Sequence, residues 1–183
     1  TNNIAIGRNV FYNTVNAQTN IGIGQDVFYE MGKNSANSAS ESQNNVAIGN
    51  NAMRGMDTSA STAVDNVAIG VEAMIYFDAA NVGAVGKNVC IGASSGYYQS
   101  GTQNTFLGFA AGYGTEPSSY TGDYNVGIGS FSLFDIRDGE SNICIGNNAG
   151  KEIKTGDKNI CIGTTSAEGI ASSSFNTMIG YRP

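Results

Sequence analysis

The chain has 183 residues, a net charge of −6, no His, and only 13% charged residues, so a basic nucleic-acid-binding surface and histidine-based chemistry are both excluded. Apolar residues make up 40% and Gly accounts for 25 residues, a composition too apolar for a disordered chain and too rich in Gly for a helical one. No stretch approaches the roughly 18 apolar residues of a membrane span, so no membrane insertion is expected in this segment.

A five-residue phrase recurs along the whole chain. It consists of Asn, then Ile, Val or Thr, then a variable residue, then Ile or Leu, then Gly. Its ten copies follow one another at intervals of 16 to 25 residues and begin at Asn3, Asn20, Asn45, Asn66, Asn88, Asn104, Asn125, Asn142, Asn159 and Asn176. Because β-branched residues alternate between an Asn and a Gly, each copy is predicted to be a short strand.

The unit around each phrase predicts the architecture. Seven of the nine residues found three places after the phrase Gly are Ala or Ser, and four copies carry a Gly three places before the Asn. A unit of turn, strand, Gly bend, strand and turn is typical of one coil of a parallel β-solenoid. We therefore predict an all-β fold in which residues 1–183 form a single repetitive β-solenoid segment (β-roll or β-helix) of about ten coils. Because the first residues already lie inside a repeat, we expect a fragment of a longer fibre protein.

The two faces of each strand receive different residues. Strand side chains alternate, so the second and fourth positions share one face and the third points the other way. We expect the Ile row to fill the interior of the coil. The third positions are apolar, mostly small and never charged: Ala5, Gly22, Ala47, Ala68, Cys90, Phe106, Gly127, Cys144, Cys161 and Met178. This row is expected to face copies of the same chain, which predicts an intertwined or side-by-side homo-oligomer, with a homotrimer favoured.

Three cysteines lie in that third-position row. Cys90, Cys144 and Cys161 are odd in number and contain no CxxC pair, so they form neither a disulfide framework nor a zinc site. Cys144 and Cys161 are predicted on adjacent rungs, where parallel side-chain directions disfavour a disulfide. We predict free, buried thiols that act as small apolar residues.

Tyrosine-containing loops provide candidate binding surfaces. The longest excursion is residues 25–43, and two others, residues 96–101 and 112–124, are rich in Tyr. Tyr side chains bind sugars and proteins by stacking and hydrogen bonding. The candidate receptor contacts are Tyr97, Tyr98, Tyr113, Tyr120 and Tyr124. The alternative is that these rings cover the corners of the solenoid.

Candidate catalytic groups are few. Asp135, Asp138 and Glu140 lie close together in the sequence and could supply a glycosidase carboxylate pair. The favoured alternative is a solvated turn between coils. We therefore predict no enzyme, with no catalytic, cofactor-binding or metal-binding residue.

The phrase also resembles known repeats. "NNVAIGNNA" at Asn44–Ala52 and "DNVAIGVEA" at Asp65–Ala73 resemble the head repeats of trimeric autotransporter adhesins. "QNTFLGFAAGYGT" and "SNICIGNNAG" are similar to repeats of bacteriophage tail fibres. The resemblance implies a homotrimer of left-handed parallel β-rolls on a virion fibre or cell surface. The intervals are longer than in the adhesin repeat, so a two-faced and a three-sided coil are both open.

The resemblance implies a structural role. The expected function is a structural segment of a trimeric viral tail fibre that extends or presents host-receptor-binding surfaces. The alternative is the head of a trimeric bacterial surface adhesin that binds a glycan or protein directly. The expected partners are copies of this chain and a host surface glycan or protein, and the expected location is the virion tail fibre or the cell surface.

Overall fold

The computed structural model describes residues 2–14, 16–30, 42–55, 62–75, 84–115 and 122–183. Within these ranges the chain is all-β and has no helix. The strands are β1 (Ile4–Ile6), β2 (Ala17–Gln18), β3 (Ile21–Ile23), β4 (Ser42–Gln43), β5 (Val46–Ile48), β6 (Thr62–Val64), β7 (Val67–Ile69), β8 (Ala84–Gly86), β9 (Val89–Ile91), β10 (Thr105–Leu107), β11 (Val126–Ile128), β12 (Ile143–Ile145), β13 (Ile160–Ile162) and β14 (Thr177–Ile179).

The strands form two parallel sheets. Every phrase contributes one strand to a ten-stranded sheet, in the order β1-β3-β5-β7-β9-β10-β11-β12-β13-β14. A second sheet has the order β2-β4-β6-β8. Equivalent residues of successive phrases lie side by side, as Cys144 does beside Cys161. The predicted parallel β-solenoid is confirmed.

The predicted number of about ten coils is wrong, because the solenoid has about seven turns. All ten phrases form strands, but the central residue is exposed in the first strand (Ala5) and only half-buried in the last (Met178). It is buried in each of the eight strands from Gly22 to Cys161. Only those strands enclose a core, and eight strands are separated by seven steps.

The predicted orientation of the strands is also wrong. Cys144 and Cys161 are fully buried, whereas Ile143 and Ile145 keep 38% and 36% of their surface exposed. The third positions therefore fill the interior of the coil, and the Ile rows face outward. The physical reason is that the interior is narrow, and it must also hold side chains from the turn that follows each strand.

Compensating side-chain sizes fill this narrow interior. Where the third position is Gly127, the residue four places after the phrase Gly is the buried Leu133. Where the third position is Phe106, that residue is Gly112, and a Cβ there would lie 2.5 Å from the Phe106 ring. The same reciprocity holds for the pairs Ala5–Phe11, Gly22–Phe28, Ala47–Met53, Ala68–Met74, Cys90–Gly96 and Cys144–Gly150. Close packing of the interior explains the alternation.

A ladder of buried Asn side chains holds one corner of the coil. The Oδ1 of Asn142 accepts the backbone N–H of Asn159 at 3.0 Å, and its Nδ2 donates to the carbonyl of Gly156 at 2.8 Å. Equivalent contacts recur between successive phrases along the rod. Each Asn thus satisfies main-chain groups that would otherwise be buried without partners.

The residue before each phrase Asn adopts a left-handed backbone conformation. Its φ lies between 53° and 66° in every copy. The residues are Asn2, Thr19, Asn44, Asp65, Lys87, Gln103, Tyr124, Ser141, Lys158 and Phe175. Only two of the ten, Asn44 and Asn2, are Asn and none is Gly, so most copies hold a residue for which this conformation is unfavourable.

Gln103→Gly is therefore expected to stabilise the protein. Gln103 is exposed and has a φ of 59°, and Gly adopts this conformation without a Cβ clash. Removing this backbone strain stabilises the folded state, and the larger entropy of the unfolded chain offsets part of the gain. The free energy of unfolding should therefore rise by about 0.5–1 kcal/mol. Urea denaturation measures it. The control is Gln18→Gly in the extended strand β2, which should destabilise; an equal loss in both variants would contradict the expectation.

Candidate functional site

The outward side of the ten-stranded sheet is an apolar surface along the whole rod. We call it the outer apolar face. Its members are the second and fourth phrase positions: Ile4, Ile6, Ile21, Ile23, Val46, Ile48, Val67, Ile69, Val89, Ile91, Thr105, Leu107, Val126, Ile128, Ile143, Ile145, Ile160, Ile162, Thr177 and Ile179. None is buried and none is charged, and 18 of the 20 are apolar. Both faces of a parallel sheet are normally covered, so this one is unusual in an isolated chain.

The outer apolar face is comparable in size to the largest apolar patches on soluble proteins. Ten strands spaced by about 4.8 Å give a length of about 43 Å, and two columns of side chains give a width of roughly 10 Å. The projected area of roughly 400 Å² lies within the range of the largest patches on soluble monomers, which are often interaction sites. The face is also regular, because the in-register pairing aligns each column along the rod.

A second surface feature is an aromatic ladder on the turns. Tyr97 stacks on Tyr113 with ring centroids 4.7 Å apart, and Tyr113 stacks on Phe134 at 5.1 Å. Tyr98 meets Tyr97 edge-on at 4.6 Å, and the Nζ of Lys151 lies 5.8 Å from the Phe134 centroid. Apart from the Tyr97–Tyr98 pair, these contacts link side chains on successive coils, and they stabilise the stacking of the turns.

The structure brings together three of the five tyrosines predicted as receptor contacts. Tyr97, Tyr98 and Tyr113 lie in the aromatic ladder, where Tyr113 is sandwiched between two rings. Tyr124 lies apart, next to the Asn corner, and is 53% exposed. Tyr120 lies outside the described residues. The covered ring faces of Tyr113 match the alternative in which these rings cover the turns, and the receptor contacts stay a prediction.

The three candidate carboxylates have different surroundings. Asp135 is engaged by Lys154 at 3.4 Å and Arg137 at 3.7 Å, so it acts as a structural ion pair. Asp138 and Glu140 are exposed, and the Glu140 backbone N–H donates to Asp157 at 2.8 Å. Among the described residues no group of three His, Cys, Asp or Glu is placed to hold a metal ion.

A shallow polar cleft lies at the end of the aromatic ladder. It has a volume of about 180 Å³ and is lined by Asn148, Lys151, Glu152, Thr165, Ala167 and Glu168. Glu152 accepts the backbone N–H of Gly169 at 2.9 Å, and Glu168 pairs with Arg182 at 3.4 Å. Both carboxylates already have protein partners, and the cleft is smaller than the roughly 300 Å³ of most small-molecule sites.

The cysteines have no reactive surroundings. All three are free and buried, as predicted. Burial raises the pKa of the Cys90 thiol, and the hydrogen bond with Ser95 opposes this only in part. The hydrogen bond between the Cys144 and Cys161 thiols raises the pKa of Cys144, which burial raises further. The same hydrogen bond lowers the pKa of the Cys161 thiol, although burial opposes this shift. All three side chains are fully buried and out of reach of a reaction partner, so they serve as packing groups.

Comparison with known proteins gives no relative for this chain. No match was found among family models, curated proteins or solved structures. Among the described residues, no helix is long and apolar enough to cross a membrane.

Sequence reasoning missed the outer apolar face because it placed the Ile rows inside. The signal that could have found it is the reciprocity between the third position and the residue four places after the phrase Gly. A small residue at one of these positions is matched by a larger one at the other, as in Ala68 and Met74. Only two residues that share a confined space need such matching, so the pattern assigns the third position to the interior.

Proposed function

We propose that this chain is a structural segment of a homotrimeric viral tail fibre, which extends or presents host-receptor-binding surfaces. The observation that supports the proposal is the outer apolar face on an elongated repetitive rod. An apolar strip of this length in water favours association with another surface. A catalytic role has no comparable support.

Copies of the same chain are the best match for the outer apolar face. Its side chains form ridges every 4.8 Å or so, set by strand pairing. A second copy with the same rise presents grooves at the same spacing, so the two surfaces interdigitate along the rod. The face carries no charge that would oppose self-association. The count of three rests on the resemblance of "NNVAIGNNA" to trimeric repeats. In the proposed trimer the exposed Ile rows, rather than the buried Cys row, lie between the chains.

Charged substitutions on the face provide the test. Ile145→Glu with Ile162→Glu is expected to yield a folded monomer, because carboxylates at the interface would be desolvated and brought together. The wild-type chain should sediment as three chains, and circular dichroism should show that the variant keeps its β-structure. Thr164→Glu with Ser172→Glu places the same charges at exposed positions off the face and should leave the trimer intact.

Two results would contradict the proposal. One is a soluble, folded, monomeric wild-type chain. The other is a double Ile variant that assembles as well as its matched control, since this would show that another surface joins the chains.

The aromatic ladder and the exposed Tyr124 favour a second candidate function. In this alternative the segment is the head of a bacterial trimeric adhesin and binds a glycan or protein itself. Tyr97→Ala with Tyr98→Ala should then reduce binding to a glycan array or to host cells while the trimer persists. The sequence of the full-length gene product distinguishes a viral tail fibre from a bacterial adhesin, because an adhesin needs a membrane anchor and a virion fibre does not.

A further inference from the structure

The regularity of the outer apolar face creates a problem of register for the proposed assembly, on which this inference rests. Along most of the rod, moving one chain by a single rung replaces one β-branched apolar residue with another, as from Val46 to Val67 and from Ile48 to Ile69. A shift of about 4.8 Å therefore preserves nearly all apolar contacts. Repetitive strands without distinguishing residues are prone to such slippage. Side-by-side chains need a feature that makes one register better than its neighbours.

Strand β10 breaks the regularity in the middle of the rod. Its outward residues are Thr105 and Leu107, whereas the paired strands β9 and β11 present Val89 with Ile91 and Val126 with Ile128. Thr105 is half-buried, and its backbone N–H donates to the carbonyl of Asn125 at 2.8 Å. Its hydroxyl makes none of the side-chain hydrogen bonds found among the described residues. The only other Thr on the outer apolar face is Thr177 in β14, four rungs away.

We infer that Thr105 sets the register of the chains, so that copies of this protein associate in parallel with zero offset. In that arrangement the three Thr105 side chains meet at one level, and their hydroxyls can donate and accept among themselves. A slip of one rung would instead place each hydroxyl against Val89 or Val126, where it loses water and gains no partner.

Leu107 and Thr177 add to this selection. The γ-branched Leu107 differs in shape from Ile91 and Ile128, so a slipped chain also loses steric fit. Thr177 places a second outward hydroxyl, which also needs a hydrogen-bond partner, near the end of the rod. A single polar residue in an otherwise apolar seam fixes register in coiled coils in the same way.

Co-expression of two chains with different registers tests the inference. The variant Thr105→Val with Val126→Thr moves the hydroxyl by one rung and keeps the composition of the face. The two chains carry different affinity tags, and the mixed trimers are counted by mass after purification. We expect mixed trimers to fall at least about tenfold below the statistical mixture, since they must either slip or bury unpaired hydroxyls. The control Val126→Ile keeps Thr105 and should mix freely with the wild type.

The possible outcomes separate this inference from the proposed function. If the shifted variant and the wild type both form trimers and mix statistically, Thr105 does not set the register, while the trimer stands. If the wild type itself is monomeric, the proposed assembly fails and the inference fails with it. If the shifted variant does not assemble, Thr105→Val with Val89→Thr replaces it, because this variant moves the hydroxyl by one rung in the other direction. Depletion of its mixed trimers with the wild type would support the inference, and statistical mixing would overturn it.

Discussion

Gly146→Ala should strongly destabilise the native coil. Gly146 has a φ of 139°, and a Cβ there would lie 2.5 Å from the carbonyl oxygen of Gly163 on the next coil. The clash is with backbone, which can move only if the rungs separate and their hydrogen bonds weaken. Together with the backbone strain, the expected loss exceeds about 4 kcal/mol. Thermal denaturation followed by circular dichroism measures it.

Gly180→Ala is the matched control for this substitution. Its φ of 137° is nearly the same, but no atom other than those of its chain neighbours lies within 4 Å of the added Cβ, because Gly180 follows β14, which has no coil stacked beyond it in the structure. Only the conformational strain applies, and the expected loss is about 1–3 kcal/mol. The difference between the two variants measures the stacking contact. Equal losses would show that the close approach of successive coils is not what requires Gly.

Phe106→Ala should also cost much of the stability, and a second substitution should restore it. Phe106 is fully buried, and truncating it leaves a cavity that should lower the free energy of unfolding by about 3–5 kcal/mol. Gly112→Met alone should be as damaging, since even its Cβ would lie 2.5 Å from the Phe106 ring. The two changes together recreate the arrangement of Ala47 and Met53, both buried elsewhere in the same core.

A double-mutant cycle quantifies this compensation. The left-handed backbone at position 112 does not exclude Met, because Met53 occupies the equivalent position with a φ of 49°. The double variant should therefore recover at least about 2 kcal/mol relative to the sum of the single losses. Additive losses would indicate that Phe106 and Gly112 do not share one confined space and that the size reciprocity has another origin.

The sequence determined the architecture because the repeat is local. Asn142, the alternating Ile143 and Ile145, and Gly146 together specify a corner, a strand and a bend within a single phrase. Ten copies of a phrase that cannot bury its own apolar residues must stack, and stacking identical strands in register gives a parallel solenoid. The free, buried state of the cysteines was predicted from the same local pattern. The sequence named Tyr97, Tyr98 and Tyr113 only as candidate contacts, and the structure brought them together on two successive turns.

Only the tertiary structure decided which side of each strand is inside. Alternation shows that Cys144 and Ile145 point in opposite directions, but the pattern is the same whichever side faces the core. The choice depends on how much space remains after the following turn folds back across the strand. That space is small, as the clash between Phe106 and any Cβ at Gly112 shows, so small third-position residues are enclosed and the larger Ile side chains are left outside. The number of closed turns likewise could not be obtained by counting phrases. In the structure β1 pairs with a strand on one side only, and it encloses no core.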